Sequence, residues 1–246
     1  MAASALDYEV LVCDSATEDD TRLLMAQEFP EVRFFPFVEN VGFKHLFNTS
    51  LLEAKGKYVL AINSDVLLTP GAVEELCDFL GEHRQVGVVA PRQLHFNGAP
   101  QKTAFRFYQP ITIVYRRTPL GKTTWGKKHL SWFTMSEESF NEPTEVDWVM
   151  GSALFVDRDR ALEKVGLMDE RFFMYMEDVD WCRRFWEAGL AVVYHPRITI
   201  YHYHAKGSAR GGIVRALLSN RLTWYHIESA VKYFWKYRHK RNPRNL

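Results

Sequence analysis

Apolar and polar positions follow two periods along the first ninety residues, and the switching between them lays out a sheet covered by helices. Tyr8 to Cys13 reads as a strand that ends at Asp14-Ser15. Asp19 to Phe29 reads as a helix and Val32 to Val38 as a second strand. Lys44 to Ala54 is helical, and Lys57 to Ile62 is a third strand with a nearly continuous apolar run. Pro70 to Glu82 is a helix with proline in its first turn, where a missing N–H costs little, and Val86 to Ala90 is a fourth buried strand. Strands alternating with helices predict right-handed βαβ units. The fold class is therefore α/β, a three-layer α/β/α sandwich around a mostly parallel central sheet. Leu94 to Val146 breaks the rhythm and reads as an irregular excursion with short helices. Regular spacing resumes with a strand at Ala153 to Val156, a helix from Arg158 to Val165, and a helix from about Asp178 that stops before Gly189. Ala191 to Tyr194 and Ile198 to His202 read as strands. Ile213 to Lys236 reads as a long amphipathic helix.

Composition narrows the class without changing the layout. The chain has 246 residues, 47% of them hydrophobic and 14% aromatic, which supports one sizeable core and excludes a disordered or fibrous chain. No apolar run approaches the roughly 18 residues needed to span a bilayer. Met1 to Leu6 has neither a basic stretch nor a long apolar one, so no secretory signal is expected there. Cys13, Cys77 and Cys182 lie far apart with no C-x-x-C pair. That argues against a disulfide framework or structural zinc and makes a cytoplasmic setting the expectation. The net charge of +1 hides a division. Ala205 to Leu246 carries ten Lys/Arg and one acid, giving +9, and the remainder carries −8.

Polar residues recur where α/β folds bind ligands, beyond the carboxyl ends of the strands. Asp14 ends the first strand, Asn40-Val41-Gly42 follows the second, and Asn63-Ser64-Asp65 ends the third. A carboxylate there suits base recognition or a hard divalent cation; each residue singly also suits a cap or turn. Glu177-Asp178 stands at a helix start after an aromatic turn; the pair suits a helix cap at Asp178 with a solvated Glu177, or a general base at one of the two. His202 and His204 follow the last strand.

Taken in order, these motifs resemble the family 2 glycosyltransferases, in particular their bacterial rhamnosyltransferase-like branch with the GT-A fold. The resemblance runs through Val12 to Thr17, Asn40 to Phe43 with Asn48, Gly56 to Asp65, Gly151 to Arg158, Val165 to Glu170, Phe173 to Arg184, and the histidines with Gly207-Ser208. It implies a nucleotide diphosphate-sugar donor and an inverting transfer to a glycan or lipid-linked acceptor. It assigns base recognition to Asp14 and places Asn40, Gly42, Asn48, Asn63 and Asp65 around the donor. A divalent metal (Mg²⁺ or Mn²⁺) would be held by Asp65 with His202 or His204. Trp148, Gly151 and Ser152 fall on the acceptor side, and Gly151 would allow close backbone approach. Asp178 becomes the general base, with Glu177 as runner-up. Asn63 replaces the first Asp of the Asp-x-Asp-type pair, which leaves Asp65 as the main metal carboxylate.

The resemblance also implies a strand and helix ahead of Asp7, where this sequence has only Met1 to Leu6. The expectation is a GT-A domain short of that unit, with an exposed apolar edge. The other reading is an impaired remnant that binds a glycan or a partner. Residues 1–208 are expected to form the catalytic domain. Residues 209–246 are expected to form a basic helix and tail whose Lys232, Lys236 and Lys240 share a face suited to peripheral membrane contact on the cytoplasmic side. No recognition motif accompanies that charge, so nucleic-acid binding is not expected. The aromatic and basic middle, with Arg106-Phe107-Tyr108, Arg116-Arg117, Trp125 and Trp132-Phe133, suits either stacking on acceptor sugars or packing on the sheet.

Overall fold

The structure, a computed structural model, describes residues 6–203 and 221–245. Its axis is the strand β5 (Val86–Leu94), whose run of small and β-branched residues is buried on both faces. Around it lies a six-stranded sheet. Its path runs β3 (Tyr58–Ile62), β9 (Ala153–Asp157), β5, β10 (Ala191–His202) and β4 (Val66–Leu68), with β7 (Thr144–Glu145) added to β10. Neighbouring residues point to opposite faces. Val88 and Leu154 join a core with Leu51, Trp181 and Phe185 on one side. Val89 and Phe155 join Leu76 and Leu80 on the other. The helices over these faces are α2 (Phe43–Glu53) and α7 (Glu177–Glu187) on the first side and α3 (Ala72–Glu82) on the second.

The expectation of a mostly parallel sheet is corrected: the sheet is mixed. β5 and β10 run parallel, but β9 is antiparallel to both β3 and β5, and β4 and β7 are antiparallel to β10. A buried apolar run fixes burial, not direction, and β9 arrives from the long excursion rather than through a covering helix. The two strands expected after residue 190 form one strand. Its pairing with β5 shifts register between His195 and Thr199, around Pro196, which has no N–H to offer.

β1 (Leu11–Ser15) and β2 (Arg33–Phe37) form a separate parallel ladder, joined by α1 (Asp19–Glu28). Arg33 ties it to the rest by pairing with Glu9 at 2.9 Å and Glu53 at 2.8 Å. Glu9 also accepts the backbone N–H groups of Lys55 and Gly56. β3 ends the six-stranded sheet, with Ile62 exposed.

The excursion is more ordered than its pattern suggests. β6 (Ala104–Phe105) pairs with β8 (Trp148–Val149), and between them stand α4 (Pro110–Arg117), a 3₁₀ turn (Pro119–Lys122) and α5 (Thr124–Phe133). α6 (Arg158–Lys164) follows β9. Of the aromatics noted in this segment, Phe107, Tyr108 and Phe133 are buried, whereas Trp125 and Trp132 are exposed.

The last helix, α8 (Arg221–Lys236), packs Ala230 and Tyr233 into the main core. Within the lysine stripe Lys236 turns inward, whereas Lys232 and Lys240 stay at the surface. Lys236 reaches Asp169 at 2.6 Å and Asp180 at 2.5 Å, Lys240 pairs with Glu187 at 2.9 Å, and Lys232 pairs with Glu228 at 2.6 Å. Asp180 is fully buried, and its carboxylate also accepts from Tyr237 Oη and Arg184 Nε. Such a charge is tolerable because both oxygens accept from donors, two of them cationic. The 208/209 boundary and the helix start at Ile213 lie outside the described residues.

Candidate active site

The ends of β1 and β2 are cross-tied by short polar side chains. Ser15 Oγ donates to Asn40 Oδ1 at 3.3 Å and accepts from Val41 N at 2.9 Å. Asn40 Oδ1 also accepts from Gly42 N at 3.1 Å, so the turn into α2 is shaped from within. Asp14 sits half-buried beside it, its carbonyl bonded by Thr17 Oγ1. Gly42 has φ +75°, and a Cβ there would collide with the carbonyl oxygen of Phe173. Only glycine allows the turn and the Phe173 segment to touch.

Asn48 does not join this group. Its buried amide donates to Met168 O at 3.0 Å and accepts from Met168 N at 2.8 Å, so both ends clamp the loop before α7 instead of facing a donor.

Beyond β3, Asn63 N donates to Ser152 O at 3.2 Å, and the Asp65 carbonyl accepts from Tyr203 N at 2.8 Å. Asp65 Oδ1 lies 3.2 Å from Nε2 of the buried His202. Gln101 sets the orientation of that ring. Its Nε2 donates to His202 O at 2.7 Å and lies 3.2 Å from His95 Nδ1, and its Oε1 lies 3.1 Å from His202 Nδ1. An oxygen there suits an N–H on Nδ1, which leaves Nε2 as the ring nitrogen turned toward the Asp65 carboxylate. The donor set, one carboxylate and one imidazole whose far nitrogen is held by an amide, fits a divalent metal. Among the described residues no cluster of three or more His, Cys, Asp or Glu gathers; His204 lies outside them.

On the other side, Tyr175 and Met176 both adopt left-handed backbone angles, φ +68° and +67°, immediately before α7. Two adjacent non-glycine residues in this region store strain, which the packing around them must hold. The turn delivers Glu177 and Asp178. The Asp178 carboxylate accepts from Gly151 N at 3.1 Å and Val179 N at 2.9 Å. Desolvation nonetheless outweighs these bonds and raises its pKa to about 6. Glu177 is buried and its Oε2 has no hydrogen-bond partner among the described residues. Burial, and then the charge of Asp178, push its pKa well above the ordinary value. A Cβ on Gly151 would press on the Phe43 ring at 3.1 Å and sit 3.6 Å from Asp178 Cβ, which explains the glycine.

The dipeptide Gly151-Ser152 therefore joins the two halves: its first N–H holds Asp178, and its second carbonyl holds Asn63. Two residues expected on the acceptor side turn inward instead. Ser152 is buried and donates to Gln93 Oε1 at 2.9 Å. Trp148 stacks on Phe105 at 4.4 Å, and its indole N–H is taken by Arg106 O. Gln101 is the part that motif reading missed, since it falls in no period or motif; the Tyr175-Met176 turn lies within the Phe173 to Arg184 motif, which did not reveal its left-handed backbone.

Comparison with known proteins shows the family and the fold. A family model described as Glycosyl transferase family 2 matches residues 2–142, more than half of the chain. An N-acetylglucosaminyl-diphospho-decaprenol L-rhamnosyltransferase of Mycobacterium tuberculosis is 28% identical over 247 aligned positions, covering 95% of this chain and 79% of the relative. Rhamnosyltransferase WbbL of Escherichia coli (strain K12) is 33% identical over 97 residues, covering 39% of this chain and 34% of its own. Among solved structures, GalNAc-T7 with UDP, GalNAc and Mn²⁺ superposes with a TM-score of 0.59 at 15% identity. The match covers 81% of this chain and spans 38% of that one, a likeness of fold.

Proposed function

Because the chain belongs to glycosyl transferase family 2, with its GT-A fold, we propose that it moves a sugar from a nucleoside diphosphate-sugar to a hydroxyl of a lipid-linked or glycan acceptor. The transfer inverts the anomeric centre, and Asp178 is the general base. The observation that carries this reading is the pairing of a carboxylate whose pKa is raised to about 6 with the Asn63–Asp65 turn through Gly151-Ser152. A base titrating near the working pH accepts a proton efficiently and is still unprotonated at neutrality.

In the reaction, the acceptor O–H gives its proton to Asp178. The acceptor oxygen bonds to the anomeric carbon as the carbon–oxygen bond to the diphosphate breaks. Glu177 keeps its own proton and leaves Asp178 as the charged member of the pair. Asp14 reads the base, and Asn40, Gly42 and Asn63 line the donor. Gly151 leaves room for the acceptor. Asp65 and His202 would hold a divalent cation (Mg²⁺ or Mn²⁺), which would supply charge neutralisation for the leaving diphosphate. The name of the mycobacterial relative supports L-rhamnose as the sugar and a lipid diphosphate-linked N-acetylglucosamine as the acceptor. The purified protein, given a nucleoside diphosphate-rhamnose and a short-chain analogue of that acceptor, is expected to add one deoxyhexose by mass, dependent on added cation. No transfer from any of a panel of nucleoside diphosphate-sugars, together with no metal-dependent binding of a nucleoside diphosphate, overturns the reading.

The role given to Gln101 has its own test. Gln101→Leu frees the Nδ1 side of His202 and is expected to weaken Mn²⁺ binding in the presence of a nucleoside diphosphate by about 10- to 100-fold, read by calorimetry. An affinity equal to that of the parent protein removes Gln101 from the site.

We place the enzyme at the cytoplasmic face of the membrane as a peripheral protein, with residues 1–208 catalytic and 209–246 completing them. No helix among the described residues is long and apolar enough to cross a bilayer. On the outer face of α8, Trp224, Val231 and Trp235 are exposed.

A further inference from the structure

Residues 83–136 contain nine Lys/Arg and not one Asp or Glu. The densest part of this run is the helical hairpin formed by α4, the 3₁₀ turn and α5, which carries Arg116, Arg117, Lys122, Lys127 and Lys128. The hairpin is stiff. Thr112 Oγ1 and His129 Nε2 bond across it at 2.7 Å. Cβ atoms on Gly121 and Gly126 would collide with the carbonyl oxygens of Tyr115 and Leu120, so the backbones are in direct contact. Thr123 caps α5 by accepting from Gly126 N at 3.1 Å.

This stiff frame holds apolar side chains out into solvent. Ile111, Val114, Leu120 and Trp132 are exposed, and Trp125 is 79% exposed. A single exposed apolar residue needs no explanation, but five on one short rigid unit do. Trp125, Lys128 and Trp132 are spaced three and four apart along α5 and share a face. Arg116, Lys122, Lys127 and Lys128 are exposed among them. At the base of the hairpin a cleft of about 400 Å³ is lined by Arg116, Lys122, Thr118 and Thr134 beside Phe105 and Leu130. Tryptophan and leucine standing among cations are the chemistry of the boundary between anionic headgroups and acyl chains; the nearest acids, Glu137 and Glu138, lie past the end of α5, against Ser131 and Arg106. The α8 surface differs, since its lysines are paired with carboxylates and Arg238 lies over Trp235 at 4.3 Å.

We infer that the α4–α5 hairpin is a docking surface for an anionic lipid bilayer, with Leu120, Trp125 and Trp132 entering the interface and Lys122, Lys127 and Lys128 meeting the headgroups. The surface itself stands on these observations; its purpose rests on the glycosyl-transfer reading. Tyr108, next to the start of α4, and Tyr175, in the turn before Asp178, both pack against His226, with ring centroids at 6.3 and 5.2 Å. Docking through the hairpin thus brings the base close to the membrane plane, where a lipid-linked acceptor presents its sugar.

The test is co-sedimentation of the full chain with vesicles of phosphatidylcholine alone or mixed with phosphatidylglycerol, in the absence of any sugar donor. The parent protein is expected to bind the mixed vesicles and release them in high salt. The paired variants Leu120→Ala with Trp125→Ala, and Lys127→Glu with Lys128→Glu, are expected to lose about tenfold or more in affinity. Their thermal unfolding should stay at the parent value, because these side chains are exposed. A control, Trp224→Ala with Trp235→Ala, is expected to bind like the parent. Parent-like binding by both hairpin variants overturns the inference, as does loss of binding in the control alone or a preference for a soluble polyanion over vesicles. Transfer to an acceptor lacking the lipid chain is expected to survive in the hairpin variants. Failure of the transfer reading would show there and leave the vesicle result standing.

Discussion

Asp178→Asn is expected to lower sugar transfer by about 10²- to 10⁴-fold, the span of a general base, while donor affinity stays near the parent value. Gly151 N bonds one carboxylate oxygen and Val179 N the other, so asparagine keeps the shape of the side chain and one of the two bonds, and the fold is expected to survive with a small loss of stability. The pH dependence carries the sign. Burial raises the pKa of Asp178 to about 6, and the base acts without its proton. The parent rate should therefore be level at neutral pH and fall about tenfold per pH unit once the pH drops below about 6. The residual activity of Asp178→Asn should lack that limb. Initial rates across pH 4.5 to 8 check this, with calorimetry for donor binding. Retention of more than about a tenth of the parent rate would move the role to Glu177.

Asp65→Asn should be nearly as severe, for a different reason. It removes the carboxylate charge beside His202 Nε2 and leaves the backbone bond from Tyr203 N intact. Transfer is expected to fall about a hundredfold or more, because stabilisation of the leaving diphosphate is worth several kcal/mol. Nucleoside diphosphate binding should lose its dependence on Mn²⁺. The two variants are thereby separable: Asp178→Asn slows a bound donor, whereas Asp65→Asn loosens the donor itself. Metal-dependent binding of parent strength in Asp65→Asn would sink this assignment.

The first half of the fold was readable because most of its elements carry apolar residues in a pattern fixed by their own geometry. The Ala72–Glu82 helix buries Ala72, Leu76 and Leu80 along one stripe, and the Tyr58–Ile62 strand follows from its nearly continuous apolar run. Strand direction was not readable, since β9 has the same apolar run whichever way it points. The excursion hid α4 and α5 because their contact depends on Gly121 and Gly126, whose role is close approach, and a glycine leaves no mark in a hydrophobic pattern. In the candidate site, Asp65 and Asp178 were legible from motifs. Asn48, Ser152 and Trp148 were drawn into the same site because a polar tip shows what it can bond but not which side its partner lies on. The spacing of Lys232, Lys236 and Lys240 correctly set one shared face. The carboxylates awaiting it, Asp169, Asp180 and Glu187, come from a distant stretch of sequence.

Gly151 and Ser152 also have a mechanical meaning. The N–H of Gly151 holds the Asp178 carboxylate and the carbonyl of Ser152 holds the N–H of Asn63, so two adjacent residues tie the start of α7 to the turn beyond β3. The peptide plane between them is rigid, and only the φ and ψ of these two residues can turn. The two segments are therefore fastened to each other through a few bonds at the sheet edge, not through the bulk of the core.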